Sequence, residues 1–184
     1  MSYIVVSALE METEAGVGGY PLIHTGVGKV NAAIALMEYI SNSTVDRVIN
    51  FGTAGSRSTP VGQLVKCTKF IQRDMDKTAL GFKRGETAYE SDIPMMLEFG
   101  EGKVCGTGDN FVQDVSAELD IIDIFDMEAY ALAKVCFIEG INFVSYKYVS
   151  DNANDNAPSD WEKNLADGII LFEQELDNIK EEMV

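Results

Sequence analysis

The sequence predicts a single α/β domain with a central mixed β-sheet flanked by helices, spanning residues 1–184. Two observations lead to this prediction. Short apolar runs that end in glycine or polar turns alternate along the chain with segments of helical periodicity, which is the pattern of strands joined by helices. The chain is also long enough, with 46% hydrophobic and 24% charged residues, to bury one substantial core.

Several segments are predicted to be strands, because each is apolar and has the length of a single crossing of a sheet. They are residues 3–9, 20–28, 46–55, 102–108 and 141–151, and a longer, partly alternating strand over residues 61–76. Residues 77–101 carry several glycines and a proline and are predicted to form loops.

Two helices are predicted between these strands. The first covers residues 30–40 and has one apolar face. That face is formed by Val30, Ala33, Ile34, Met37 and Ile40. The second runs from Met127 to about Glu139, with Asp126 as its N-cap and Gly140 at its end.

The C-terminal segment is predicted to be one long amphipathic helix that packs on the sheet. Pro158 precedes a capping box formed by Ser159 and Glu162, which marks the start of the helix. Apolar residues then recur every three or four positions. They are Trp161, Leu165, Ile169, Phe172, Leu176, Ile179 and Met183.

The amino-acid composition limits the kinds of molecule that the protein is expected to bind. A formal net charge of −16 disfavours nucleic acid and anionic membranes, which proteins bind mainly through Lys and Arg. A small neutral or cationic molecule suits this charge better. No apolar run approaches the ~20 residues of a membrane span, and no signal peptide is expected. Three cysteines without metal-ligand spacing indicate a reduced, cytoplasmic protein.

Carboxylates stand at four predicted strand ends or helix starts, in Glu12, Asp109, Glu128 and Asp151. Ligands of α/β sheets bind beyond the carboxyl ends of the strands, so these turns are expected to converge. Each carboxylate also has an ordinary structural explanation, as a loop acid, a turn former, a residue favoured by a helix dipole or a cap. The glycine turn at residues 25–29 opens a helix and offers a weak anion site. No zinc, Walker, Rossmann or serine-nucleophile motif is present, and neither a metal nor a cofactor is expected.

Six segments resemble the nucleoside phosphorylase/nucleosidase superfamily, and most closely its 5'-methylthioadenosine/S-adenosylhomocysteine nucleosidases. They are SALEMET (7–13), HTGVGKVNAA (24–33), INFGTAGS (49–56), GTGDNF (106–111), FDMEAYALAKVC (125–136) and YVSDNAN (148–154). Each motif is weak by itself, but the six follow the order of the family and cover nearly the whole chain. The resemblance implies the fold of that superfamily and the cleavage of a purine nucleoside.

The resemblance implies two catalytic residues. Asp151 matches the general acid that protonates the purine at N7, and Glu12 matches the base that orients the attacking water. Cleavage of an N-glycosidic bond builds positive charge on the ribose, which a cavity rich in carboxylates stabilises. The leaving purine needs a proton, so one carboxyl group must stay protonated near neutral pH.

Five further residues are implied to bind the substrate. Glu128 matches the carboxylate that holds the ribose hydroxyls, and Met127 lies under the sugar. Phe111 and Val112 match the segment that stacks on the base and contacts its edge. Thr53 falls where the family has a small hydroxyl residue near the water and the ribose.

Water is favoured over phosphate as the nucleophile. Phosphorylases of the family hold phosphate with arginines, one of them soon after the first strand, whereas residues 8–23 contain neither Lys nor Arg. Glu12 would also repel a phosphate dianion. Arg57 is the nearby candidate for phosphate binding, and a phosphorylase of the same fold therefore stays an alternative.

The connection between Glu12 and the glycine turn at residues 25–29 is only about a dozen residues long, shorter than in family nucleosidases. A catalytically weak nucleoside-binding protein is therefore a further alternative. The short connection would leave the pocket for the 5' substituent open, and a homodimer is expected to close it. Lys147 also stands where the family commonly has Arg, and Asn154 where it commonly has Asp.

Overall fold

The computed structural model describes residues 2–13, 17–164 and 168–181. Within these ranges eight strands form one mixed sheet flanked by four α-helices, which confirms the predicted fold class. The strands are β1 Tyr3–Ser7, β2 Leu22–His24, β3 Arg47–Ser56, β4 Leu64–Gln72, β5 Met96–Glu98, β6 Lys103–Thr107, β7 Ile124–Asp126 and β8 Asn142–Asp151. The helices are α1 Lys29–Asn42, α2 Ala129–Glu139, α3 Ala157–Asn164 and α4 Ile169–Glu181.

Five strands close into a ring in the order β3, β8, β4, β6, β7 and back to β3. Strand β3 pairs with β8 along one edge. On its other edge it pairs with β1 at residues 47–50 and with β7 at residues 55–56. No described strand pairs with residues 51–54 on that edge, and a cavity opens at this gap.

Both faces of the sheet are covered by helices, and successive residues of β1 point alternately into the two hydrophobic clusters that result. Ile4 and Val6 belong to the cluster that packs against α1 and α2. Tyr3 and Val5 belong to a second cluster, which packs against α4. There Phe172 of α4 stacks on the sheet, as its predicted apolar face requires. No helix of the described residues is long and apolar enough to cross a membrane.

The apolar face predicted for the first helix is buried only in part, because Ala33 and Ile40 pack against the core but the other three residues are exposed. Val30, Ile34 and Met37 are 68%, 61% and 39% exposed, whereas Ala32 and Leu36 are fully buried. Helix α1 therefore has apolar residues on two sides, and periodicity alone does not show which side meets the sheet. The exposed side leaves an apolar stripe on the surface.

The prediction of one long C-terminal helix is wrong in two respects. First, Gly168 lies in a turn before α4, and a Cβ atom there would lie only 2.5 Å from Cβ of Tyr148, so close packing against β8 requires glycine at this point. Second, the capping box does not form, because Ser159 lies inside α3 and its hydroxyl donates to the carbonyl of Asn156 at 3.1 Å. Leu165 and Met183 lie outside the described residues.

Two short strands were not predicted. Strand β5 lies within the segment predicted as loops, and β7 lies just before α2. Each has three residues, too few to show an alternating pattern in the sequence. The predicted start of the second helix is wrong by two residues, because α2 begins at Ala129 and Glu128 occupies its N-cap position. Asp126 Oδ2 still accepts hydrogen bonds at this end, from Glu128 N at 3.3 Å and from Ala129 N at 2.8 Å. The predicted end is confirmed, since Gly140 closes the helix in a left-handed conformation.

Candidate active site

A cavity of about 220 Å³ opens at the gap in β3 between β1 and β7. All seven residues that the resemblance identified as functional line it, so the structure brings together segments that lie far apart in the chain. They are Glu12, Thr53, Phe111, Val112, Met127, Glu128 and Asp151. The roles of these residues in catalysis and binding stay predictions.

The carboxylate of Glu12 fills the gap in β3. A turn after β1 carries Glu12 back to the sheet, where Oε1 accepts hydrogen bonds from Thr53 N at 2.9 Å and Thr53 Oγ1 at 2.8 Å. Oε2 accepts from Ser7 Oγ at 3.1 Å and from Leu9 N at 3.2 Å. A carboxylate has about four acceptor positions, so these four donors hold it rigidly. The short connection after Glu12 therefore does not displace it from the cavity.

A β-bulge places Asp151 in the cavity. Ala54 pairs with Val149 but Gly55 pairs with Asp151, so Ser150 is an extra residue on β8. Bulges of this kind change the direction of the side chain that follows. A Cβ atom on Gly55 would lie 2.6 Å from Asp151 Oδ1, and this close approach requires glycine there.

Hydrogen bonds and burial determine the pKa of the Asp151 carboxyl group, and so its protonation state. Oδ1 accepts a hydrogen bond from Ala153 N at 2.9 Å, and Oδ2 accepts from Ser150 Oγ at 3.0 Å. Burial raises the pKa of Asp151 above its ordinary value, and these two hydrogen bonds offset part of that rise. A raised pKa favours the protonated form that a general acid needs.

Glu128 stands between a buried ion pair and the start of α1. Lys147 Nζ lies 2.8 Å from Asp126 Oδ2, and both side chains are buried. Glu128 Oε1 accepts a hydrogen bond from Gly28 N at 2.8 Å. Burial and the charge of Asp126 raise the pKa of Glu128 to about 7, although Lys147 acts in the opposite direction. Lys147 therefore supplies a buried positive charge beside Asp126, which partly offsets the negative charge around Glu128.

The start of α1 does not form an open anion site. The N–H of Gly28 is taken by Glu128, and the N–H of Lys29 donates to Asp109 Oδ1 at 2.9 Å. Lys29 Nζ also pairs with Asp74 at 2.6 Å. Asp109 is not among the residues that line the cavity, and its contacts support the structural explanation for this carboxylate.

Two aromatic rings meet at the cavity. Phe111 and Trp161 both line it, with ring centroids 6.1 Å apart and ring planes at 68°. Phe111 is 42% exposed, whereas Val112 beside it is buried. Trp161 was predicted to pack in the core but lies in the cavity wall, where its indole N–H donates to Thr53 Oγ1 at 2.8 Å. It belongs to α3, which is a separate helix from α4.

Two cations near the cavity have roles that the sequence did not reveal. Arg73, at the end of β4, lines the cavity, pairs with Glu118 at 3.0 Å and donates to the carbonyl of Asn110. It therefore holds the loop that carries Phe111. Arg73 directly follows a strand, as the carboxylates at the site do, and this position is the sequence signal that could have identified it.

Arg57, the candidate for phosphate binding, is not among the residues that line the cavity. Its guanidinium donates to the carbonyl oxygens of Val115, Leu119 and Ile122. It also lies 3.6 Å from the exposed Asp120. These contacts give Arg57 a structural role in the loop before β7.

Comparison with known proteins places the chain in a family. Residues 14–179 match the phosphorylase superfamily. The 5'-methylthioadenosine/S-adenosylhomocysteine nucleosidase of an Exiguobacterium species is 32% identical over 161 residues, covering 74% of this chain and 69% of the relative. The enzyme of the same name from Shewanella oneidensis is 32% identical over 163 residues, with 75% and 69% covered.

Solved structures share the fold. A 5'-methylthioadenosine/S-adenosylhomocysteine nucleosidase from Colwellia psychrerythraea, in complex with adenine, has a TM-score of 0.81 at 22% identity, covering 92% of this chain and 90% of that one. The native futalosine hydrolase of Helicobacter pylori has a TM-score of 0.85 at 19% identity, covering 99% and 98%. The chain therefore belongs to the phosphorylase superfamily, with 5'-methylthioadenosine/S-adenosylhomocysteine nucleosidases among its relatives.

Proposed function

We propose that Asp151 and Glu12 act as general acid and general base in the hydrolysis of a purine nucleoside with a 5'-thio substituent, such as 5'-methylthioadenosine. The protein is a purine nucleosidase, an enzyme that hydrolyses N-glycosidic bonds, like its curated relatives. The residue roles and the 5' substituent are the parts that we propose. The relatives' names support the 5' substituent, and the geometry of the two carboxylates supports the roles.

The convergence of the two carboxylates on one cavity is the observation that carries the proposed roles. Thr53, which binds Glu12, and Gly55, which contacts Asp151, lie two residues apart on the same face of β3. Neighbouring positions on one strand therefore bring the two carboxylates to the same cavity. A general acid and a general base that face one bound substrate can act on opposite ends of the same reaction, the departure of the base and the attack of water.

The proposed reaction follows from this arrangement. The Asp151 carboxyl group gives its proton to N7 of the purine while the bond between ribose and purine breaks and its electron pair leaves with the purine. The buried carboxylates around the cavity stabilise the cationic ribose. Water attacks the anomeric carbon and loses a proton to Glu12, which leaves the free purine and a free ribose that keeps its 5'-thio substituent.

The cations near the cavity support water rather than phosphate as the nucleophile. Among the described residues that line the cavity, Arg73 is the one cation, and Glu118 and two loop carbonyls already bind it. Arg57 has a structural role elsewhere. A phosphate dianion would lie against the Glu12 carboxylate without a free cation from the described lining to balance it. The position of Glu12 in the cavity also argues against a protein that only binds nucleosides.

A panel of nucleosides tests the proposed function. The panel contains 5'-methylthioadenosine, S-adenosylhomocysteine, adenosine and inosine, and release of free base is followed without phosphate. We expect base release, fastest from the two adenosines with a 5'-thio substituent. Faster release from inosine would contradict the proposed substrate class, and release from none of the four would contradict the assignment as a nucleosidase.

Glu128 is expected to make the free energy of unfolding fall as the pH rises, because its pKa is raised from 4.5 to about 7 in the folded protein. The unfolded chain releases this proton at a lower pH than the folded chain does. The contribution of Glu128 to the free energy of unfolding is therefore complete below pH 4.5, the pKa in the unfolded chain. It is lost as the pH rises through about 7, the pKa in the folded protein. Glu128→Gln has no proton to lose and is expected to flatten this part of the curve.

The measurement is the thermal unfolding midpoint of both proteins across this pH range. The parent and Glu128→Gln share all other titrating groups. The difference between their curves of unfolding midpoint against pH therefore measures the contribution of the Glu128 carboxyl group. Parallel curves over the whole range would contradict the raised pKa.

We also propose a homodimer formed through an apolar stripe that consists of Val27, just before α1, and Val30, Ile34 and Met37 of α1. All four side chains are between 39% and 68% exposed, and they follow one another at helical spacing. An exposed apolar stripe of this kind marks an interaction surface. Val27 also lines the cavity, so the proposed interface begins at the site. The expected cytoplasmic location stays a prediction, and the three cysteines are buried thiols.

Ile34→Glu is expected to convert the dimer to a monomer, because it places a charge in the centre of the stripe. The matched control is Ile170→Glu on α4, which covers the opposite face of the sheet and where the isoleucine is 63% exposed. Sedimentation at micromolar concentration is expected to show a dimer for the parent and the control. A monomeric parent, or a dimeric Ile34→Glu variant, would contradict the proposed interface.

A further inference from the structure

Three groups form a continuous chain of hydrogen bonds from α3 to the proposed base. Trp161 Nε1 donates to Thr53 Oγ1 at 2.8 Å, and Thr53 Oγ1 donates to Glu12 Oε1 at 2.8 Å. Helix α3 is itself tied to the end of β8, because Asn164 Nδ2 donates to the carbonyl of Ser150 at 2.9 Å. The helix that follows the Asp151 turn therefore reaches the Glu12 carboxylate through one side chain.

The direction of this chain follows from the chemistry of its members. An indole N–H only donates, so Thr53 Oγ1 must accept from Trp161. The threonine hydroxyl has one hydrogen, and the short distance to Glu12 shows where it points. Without Trp161, the oxygen would lose its fixed donor, and the hydroxyl would be held only through its bond to Glu12.

Glu12 must give up one hydrogen bond before it can accept a proton from water. Its four acceptor positions are filled by two backbone N–H groups, which cannot turn, and two hydroxyls, which can. Ser7 is fully buried and is not among the residues that line the cavity. Thr53 lines the cavity, so its hydroxyl is the donor that an incoming water can displace.

We propose that Trp161 is a positioning residue for hydrolysis, whose indole N–H holds Thr53 Oγ1 in place while the hydroxyl hydrogen turns away from Glu12. The vacated position on Glu12 Oε1 then takes the proton of the attacking water as the water oxygen bonds to the anomeric carbon. This role rests on the proposed function of Glu12. Trp161 has no direct part in the bond changes and acts through Thr53.

Packing of the Trp161 ring against Phe111 is the competing explanation for any effect of replacing Trp161. Trp161→Phe separates the two, because it keeps an aromatic ring and removes the N–H donor. Thr53→Val removes the hydroxyl, and Phe111→Leu removes the ring contact. Combining Trp161→Phe with each of the other two changes shows which neighbour transmits its effect, since coupled residues have non-additive effects.

We expect Trp161→Phe to lower kcat about tenfold, the effect of one hydrogen bond, and to leave KM little changed. Combined with Thr53→Val, it is expected to cause no further loss, because the hydroxyl through which it acts is already gone. Combined with Phe111→Leu, the two losses are expected to multiply. Multiplicative losses with Thr53→Val, or an unchanged kcat for Trp161→Phe, would overturn the proposal.

Fluorescence tests the contact without reference to catalysis. Trp161 is the only tryptophan of the chain, so the emission spectrum reports this side chain alone. Loss of the hydrogen bond to the indole N–H is expected to shift the emission of Thr53→Val to shorter wavelength, and Thr53→Ser, which keeps the hydroxyl, is expected to retain the parent spectrum. Identical spectra for the parent and Thr53→Val would overturn the contact itself. A shifted spectrum in a protein that releases no base would overturn the proposed function and, with it, the positioning role.

Discussion

Replacing Asp151 by Asn is expected to reduce purine release by ~10²–10⁴-fold, the usual contribution of a positioned acid. The fold is expected to tolerate this change. The amide oxygen can accept the hydrogen bond from Ala153 N, and the amide nitrogen can donate to the hydroxyl of Ser150, which is able to turn. The rate of base release and the thermal unfolding midpoint, measured together, separate a lost proton donor from a lost fold.

Asp155→Asn is the matched control, because Asp155 is exposed in the same loop, four residues further on. The control is expected to keep the activity of the parent. Activity of Asp151→Asn within a few-fold of the parent would exclude Asp151 as the general acid.

Replacing Glu12 by Gln is expected to slow hydrolysis by a similar ~10²–10⁴-fold, because the amide cannot accept a proton from water. Here a loss of stability is expected as well. All four partners of the carboxylate are donors, and two of them are the backbone N–H groups of Leu9 and Thr53, which cannot turn. The amide nitrogen must face one of these N–H groups, which costs about 1–3 kcal/mol for an unsatisfied buried donor.

Glu10→Gln is the control, since Glu10 is exposed and only two residues away. Nucleoside binding by Glu12→Gln, measured by calorimetry, is expected to persist, because the groups assigned to the ribose and the base remain. A Glu12→Gln variant with parental rate would show that another group activates the water.

The positions of the proposed site residues could be predicted from the sequence because they follow elements with strong local patterns. Glu12 lies in the turn after β1, and Asp151 is the last residue of β8; both strands are apolar runs in the sequence. Glu128 lies directly before α2. Their convergence follows from the geometry of a sheet, where strand ends meet at one edge. The six motifs added the chemical roles, which spacing alone did not reveal.

Features that depend on tertiary contacts could not be predicted. The gap in β3 exists because β1 and β7 pair with separate parts of one strand, and no local pattern records this. The turn at Gly168 depends on contact with Tyr148, far away in sequence. The buried side of α1 depends on which of two apolar stripes meets the sheet. Trp161 fits a helical stripe in the sequence, but its place at the cavity depends on a hydrogen bond to Thr53, 108 residues away.

In the proposed reaction the nucleophile is water, activated by Glu12. In the most direct test, the protein is incubated with 5'-methylthioadenosine in phosphate-free buffer and the sugar product is identified. We expect the free 5-methylthioribose, formed at a rate that added phosphate does not increase. A sugar 1-phosphate that forms only when phosphate is added would contradict hydrolysis and establish a phosphorylase.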